Sequence, residues 1–338
     1  MHKKISAALI IFLLFLLLYT SQAIFSHKQT NNISKNILTI LEDHILIYDI
    51  DKKSIDFENN ITLSENIPTG FDQLLHKISY FVQDNNPIIF TMVGFPYKSM
   101  NTQDKVLASQ ADAAERYSLE FLQNILDKIK NIYTPGAQLL IFTDGIIFCD
   151  IEKTSDETVI NYEDALKTMS FDMPNIKIVT MRDVCPNKTP EHIRTIISNM
   201  HPSVKKFSKT VCDDKKVQED IDILTKRITF ELAPLSLSSH EIKTLCTQEI
   251  HRSMQYSHFL QNYRPKNSIR CSVHYQSDVS NKLGLKLSNS FITPWHGVLV
   301  ETNGHYTIQH LKDINQSFYK IMYWDINGLS LAYLKQIT

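Results

Sequence analysis

Between Pro87 and Met181 the chain alternates short apolar runs with long amphipathic stretches, and this alternation limits the fold more than any other feature of the 338 residues. Pro87 to Val93 reads as a strand. Asp112 followed by Glu115 has capping-box spacing, and Tyr117, Phe121, Leu122, Ile125, Leu126, Ile129 and Tyr133 then recur on one helical face. Pro135-Gly136 stops that helix before Ala137 to Phe142, a candidate buried strand. Ser155 can cap a second helix, in which Val159, Tyr162, Leu166 and Met169 repeat at helical spacing. Ile176 to Met181 reads as a further strand, and Thr189-Pro190 supplies a cap and a first-turn proline ahead of Ile193, Ile196, Ile197 and Met200. Repeated strand, long crossover and strand argue for parallel pairing. The expected class is α/β, with a Rossmann-like, largely parallel sheet flanked by helices.

The flanks are less regular. His44 to Ile50 reads as a strand, Asp56 to Asn66 as loop, and the lysine-rich stretch from Pro202 to Asp222 as a lid or surface linker. Ser238 and Glu241 open a helix running toward Tyr263. Ile269 to Tyr275, Leu283 to Leu287, Gly297 to Glu301, His305 to His310 and Phe318 to Trp324 are short strands between Asn, Gly and Asp turns. They imply a mixed or antiparallel C-terminal extension. The expected division is a leader at 1–23, a catalytic core at 35–265, and a mixed-strand part at 266–338 that completes the site.

At 43% hydrophobic residues the chain can bury a large core. The 35 basic and 36 acidic side chains nearly cancel, which argues against a general nucleic-acid or anionic-membrane surface. Cys149, Cys185, Cys212, Cys246 and Cys271 include no close pair, unlike a structural zinc site; Cys149 and Cys271, in strand-like apolar runs, read as buried thiols. His2-Lys3-Lys4, the apolar run from Ala7 to Tyr19 and Ser21-Gln22-Ala23 have the pattern of an export signal, either cleaved or kept as an inner-membrane anchor.

Polar residues collect where the buried strands should end, the place where open α/β sheets bind ligands. Asp144 and Asp150 bracket an apolar segment read as strand-turn-strand, and Gly94-Phe95-Pro96-Tyr97-Lys98-Ser99-Met100-Asn101 follows the first core strand. The Lys98 ammonium suits a sugar phosphate and Lys105 could join it, while Ser99 and Asn101 could orient hydroxyls or serve as turn formers. Asp144 could anchor an ammonium or shuttle protons, with Asp150 a weaker partner. Glu115 could combine capping with substrate contact. Arg252 is a bidentate candidate for phosphate or carboxylate. His274 and His296 are candidate proton carriers, Lys282 a phosphate contact, and Phe95 and Trp295 walls for an aromatic ring. No Gly-x-Gly-x-x-Gly fingerprint points to a dinucleotide.

In order, Gly94 to Asn101 with Lys105, Asp112-x-x-Glu115, Tyr133-x-Pro135-Gly136-Ala137 and Asp144-Gly145-x-x-Phe148-x-Asp150 resemble the pyoverdine/dityrosine biosynthesis family. Arg252-Ser253, Ser272-Val273-His274, Lys282-Leu283-Gly284 and Thr293-Pro294-Trp295-His296-Gly297 extend the resemblance over roughly residues 85 to 300. It implies an isonitrile synthase that joins the α-amine of L-tyrosine or L-tryptophan to C2 of ribulose 5-phosphate and fragments the sugar, so that C2 becomes the isonitrile carbon. It implies no metal or redox cofactor, and a downstream Fe(II)/2-oxoglutarate oxygenase as partner. Fungal relatives instead make a spore-wall tyrosine precursor. A phosphorylated sugar implies a cytoplasmic active site, against the export signal. Two other readings are a divalent-metal hydrolase built on Asp144, Asp150, His274 and His296, and an exported binding module without activity.

Overall fold

The computed structural model describes residues 29–46, 70–199, 215–274 and 282–337. Helices over 29–42 (α1) and Gly70–Gln83 (α2) precede the alternation read from the sequence. β1 (Ile88–Val93), α3 (Ala113–Ile132), β2 (Ala137–Phe142), α4 (Gly145–Phe148), α5 (Asp156–Met169), β3 (Ile176–Val179), α6 (Met181–Val184) and α7 (Pro190–Ser198) follow in order. Two long helices, α8 (Lys215–Glu231) and α9 (Ser239–Leu260), lead to β4 (Ile269–Ser272) and β5 (Leu283–Gly284). The chain then forms β6 (Val298–Thr302), β7 (His305–Gln309), β8 (Tyr319–Ile326) and β9 (Leu329–Gln336).

β1 to β5 make one parallel sheet in the order β3-β2-β1-β4-β5. The chain builds outward from β1 first on one side and then on the other, so the winding reverses between β1 and β4. The second sheet, β7-β6-β9-β8, is mixed: β6 is antiparallel to β7 and parallel to β9, and β8 and β9 form an antiparallel pair. This is the α/β class with a mixed extension that the alternation and the turn-rich last third require. β4 and β5, although late in the chain, complete the parallel sheet.

α3 joins the two sheets, packing against β2 of one and β6 and β9 of the other. Its sequence suits a helix enclosed on more than one side, since Ala113, Ala114, Ser118, Leu119, Leu122, Ile125, Leu126 and Ile129 are all buried. The capping box is complete: Asp112 accepts from the Ala114 amide and Glu115 from the Asp112 amide. Ser155, Thr189 and Ser238 cap α5, α7 and α9 as their spacing requires.

Several local expectations need correction. Gly145 to Phe148 is one helical turn that buries Ile146, Ile147 and Phe148 together, not the first arm of a strand-turn-strand. Met181 opens α6 because Thr180 and Asp183 form a capping box, which ends β3 at Val179. The strand expected from His44 is reduced to one antiparallel bridge, Ile45 to Leu285; residues 47–50 and the Asp56 to Asn66 stretch lie outside the described residues. The expected linker from Pro202 is helical from Lys215 onward, and 200–214 are outside the described residues. The expectation of an inner-membrane anchor is also corrected, while the export signal itself falls on residues outside those described. Among the described residues no helix is long and apolar enough to cross a membrane, and the Ala7 to Tyr19 run lies outside them.

Candidate active site

The reversal between β1 and β4 opens a crevice beyond the carboxyl ends of the parallel strands, the position where such sheets take ligands. Three segments border it: the loop after β1, Thr143 with Asp144 after β2, and Val273 with His274 after β4. The β1 loop is held from several sides. Gly94 donates to Phe142 O at 3.2 Å, and Ser99 donates to Trp295 O at 2.9 Å. Phe95 adopts φ 56°, unusual for a bulky side chain, and is kept there by complete burial and by Trp295, whose ring centre lies 5.1 Å away. A Cβ on Gly145 would stand 2.0 Å from Pro96 O, so only glycine lets the β1 and β2 loops meet so closely.

Lys98 is wholly enclosed. Its ammonium meets Asp112 Oδ1 at 2.9 Å and Glu115 at 3.0 and 3.1 Å, and donates to Pro294 O at 2.8 Å. Its hydrogen-bonding capacity is thereby committed to the protein, neither to solvent nor to a phosphate. Tyr162 donates to Glu115 Oε1 at 3.1 Å. With one cation against two carboxylates the cluster would carry excess negative charge if fully ionised. Burial accordingly pushes Glu115 up to about 8 in spite of Lys98, while Asp112 first, with Glu115 as hydrogen-bond acceptor, outweighs burial and raises Lys98.

Asp144 sits at the end of β2 with Oδ1 buried and no hydrogen-bond partner. Burial, with the nearby Glu152 charge adding to it, raises its carboxyl to about 7. A carboxyl poised there can both give and take a proton at neutral pH. Around it lies a network that the sequence reading did not single out. Arg227 pairs with Glu152 at 3.2 Å and closely with Glu249, and Tyr97 donates to Glu152. Burial raises Glu249 to about 7, with Arg227 opposing the shift. Tyr256 donates to Thr143 O at 3.4 Å, beside Asp144.

His296 follows the buried Trp295, its Nδ1 3.1 Å from Thr293 Oγ1 and its Nε2 3.6 Å from Glu231 Oε2. Burial and Lys105 oppose its protonation, so the ring is neutral near pH 7. Burial would raise Glu231, yet its contact with Lys105, joined by His296 only where that ring is charged, holds it below the usual carboxylate range. Because the imidazole is neutral, Lys105, in direct contact with Glu231 and 4.8 Å from the Phe230 ring centre, is the cation that counts. Asn101 is a turn former: it accepts from Asp104 N and donates to Phe230 O at 3.0 Å. Ser99 Oγ accepts from Asn101 N at 3.1 Å. Glu152, Arg227, Ile228, Glu231, Leu232 and His296 line a small, partly open cleft.

His296, Lys105 and Ser99 meet around Glu231 with the Phe95–Trp295 pair beside them, Lys98 and Glu115 are enclosed nearby, and Asp144 is linked to this cluster electrostatically through Glu152 and Arg227. Arg252 and Asp150 stand to one side and pair with each other at 3.2 and 3.3 Å; Arg252 also donates to Ile147 O at 2.8 Å. His274 and Lys282 are exposed at the β4 and β5 ends. Burial, Arg227 and Lys282 act to lower His274, an effect that solvent around its open ring reduces. Arg227, Glu231 and Glu249 carried a readable signal, namely helical i,i+4 spacing on α8 and a position inside α9, that the polar stretch before them obscured. Among the described residues no group of three or more His, Cys, Asp or Glu could hold a metal ion, so Asp144, Asp150, His274 and His296 do not form a metal centre.

An open parallel sheet with polar groups gathered beyond its strand ends at the switch point defines an α/β protein with a candidate active site in the usual place for this fold. Its lineage is equally plain. The family of pyoverdine/dityrosine biosynthesis proteins matches residues 78–322, and the chain belongs to it. The L-tryptophan isonitrile synthase AmbI2 of Fischerella ambigua is 32% identical over 250 residues, covering 67% of this chain and 72% of that protein. The L-tyrosine isonitrile synthase of Xenorhabdus nematophila is 26% identical over 325 residues, 89% of this chain and 91% of that protein. The crystal structure of the PvcA protein from Pseudomonas aeruginosa shares the fold, with a TM-score of 0.76 and 24% identity over 90% of this chain and 100% of that one. The chain is an enzyme of isonitrile-synthase type.

Proposed function

We propose that the protein converts the α-amine of L-tyrosine or L-tryptophan into an isonitrile with ribulose 5-phosphate as carbon donor. The observation that carries this reading is that the isonitrile-synthase relatives act on these two amino acids by name, and that the matched family region spans every segment bordering the crevice. In the first step the amine nitrogen bonds to C2 of the ketose and the ketone oxygen leaves as water. That step needs a group that takes the ammonium proton and one that protonates the departing oxygen. Asp144, near pH-neutral titration, and the uncharged His296 suit those roles. Fragmentation then calls for further deprotonation beside the new imine, favoured by fixed charges around the site. A downstream Fe(II)/2-oxoglutarate oxygenase would consume the product.

The test is incubation of the purified full chain with each amino acid and with ribulose 5-phosphate labelled at C2. Label in an isonitrile product, seen by infrared absorption and mass, is the expected result. Its absence with both amino acids overturns the assignment.

A further inference from the structure

We infer that Arg264 and Arg270, with Lys282 beside them, form an anion subsite that receives a phosphate monoester next to the crevice. The topology assembles it. β4 pairs with β1 so that Arg270 lies opposite Thr91, and with β5 so that Cys271 lies opposite Leu283. One step back along these parallel strands puts Lys282 beside Arg270 on the same face of the sheet. Arg264 arrives from the turn that ends α9, where its amide donates to Leu260 O at 3.0 Å.

What sets the two arginines apart is the lack of an acceptor. Arg116, Arg182, Arg194, Arg227 and Arg252 all pair with carboxylates. Arg264 and Arg270 meet no carboxylate among the described residues, and the Nε of each is buried without a hydrogen-bond partner. Burial and their mutual repulsion lower the proton affinity of Arg264, and burial lowers that of Arg270; Lys282 is lowered by burial and by both arginines. Like charges gathered in a partly buried place, with the Nε donors of both arginines unfilled, are stabilised by an anion, and the guanidinium fork matches the oxygens of phosphate. Three cations suit a dianion better than a single carboxylate.

The position suits the reaction. Arg264 neighbours Tyr256, which reaches the backbone beside Asp144, and Lys282 neighbours His274 at the end of β4. Lys98 and Arg252, cations that also attract attention in the sequence, already have internal carboxylate partners. Naming the ligand as the phosphate of the sugar substrate rests on the proposed function; the anion subsite itself does not.

Calorimetric titration of the full chain with ribulose 5-phosphate, inorganic phosphate and the amino acid substrates tests the inference, on wild type, Arg264→Gln, Arg270→Gln and Arg252→Gln. The expected result is a Kd for ribulose 5-phosphate raised about tenfold or more by either of the first two changes, loss of competition by inorganic phosphate, and little effect of Arg252→Gln or on amino acid binding. Arg264→Lys and Arg270→Lys, which keep the charge without the fork, should fold and bind with intermediate affinity. Unchanged sugar-phosphate affinity in the glutamine variants overturns the subsite, as does loss of amino acid binding alone, which would make it a carboxylate site. A wild-type protein that binds phosphate through these arginines but forms no isonitrile leaves the subsite standing and removes the proposed reaction.

Discussion

A buried carboxyl with one oxygen unpartnered is costly to ionise, and Asp144 bears that cost. Its carboxyl rises from 3.8 to about 7, so the folded state holds the proton more tightly than the unfolded chain does. The resulting stability is fully present below pH 3.8 and is lost as pH rises through about 7, up to about 4 kcal/mol. Asp144→Asn should therefore lose less stability than wild type between pH 5 and 8 in denaturant titrations. The same variant should lower kcat at least about 100-fold, because the amide cannot transfer the proton. Lys98 poses the opposite case. Lys98→Met leaves Asp112 and Glu115 buried without their cation and should cost about 3–5 kcal/mol by chemical denaturation. Adding Asp112→Asn should recover part of that loss, since a stranded carboxylate disappears while the N-cap acceptor is kept, whereas Glu115, already raised to about 8, contributes little charge near neutrality.

At the scale of elements, the approach of the β1 and β2 loops depends on Gly145. A methyl there would overlap Pro96 O and Val159, both held by surrounding structure. Gly145→Ala should lower stability by about 1–3 kcal/mol or more and reduce activity with it, measured by melting temperature and turnover, as the loops separate. The elements legible in the sequence were those with a cap, a period and a stop of their own, such as α3 with Asp112, its apolar face and Pro135-Gly136. The α4 turn was not legible. Gly-Ile-Ile-Phe has the composition of a strand, and only the tertiary closeness of Pro96 and the burial of all four residues make it helical. Among site residues, Asp144 and His296 stood out by their place at strand and turn ends. The buried partners of Arg227 could not be read, because its links to Glu152 and Glu249 join segments 75 and 22 residues apart. Lys98 looked like a surface or phosphate-facing lysine for the same reason: its enclosure comes from α3 and from the distant Pro294.

The whole molecule is two sheets made mutually dependent by α3, which contributes to both interfaces. The protein's two tryptophans report on different parts: Trp295 packs on Phe95 at the crevice, and Trp324 packs on Tyr333 within the second sheet. In each single-tryptophan variant, Trp295→Phe or Trp324→Phe, the fluorescence midpoint should coincide with that variant's far-UV circular dichroism midpoint, because neither sheet retains its core without the helix. Separate midpoints would show that the sheets unfold independently. The Lys98–Pro294 bond carries the matter into time. It closes a span of 196 residues and requires β1, α3 and the entry to the second sheet to be already in place. We expect such a contact to form after the folding barrier, so that its loss leaves the refolding rate nearly unchanged and speeds unfolding. Lys98 therefore acts as a latch on the lifetime of the native state, and stopped-flow traces of Lys98→Met should show the change almost wholly in the unfolding arm.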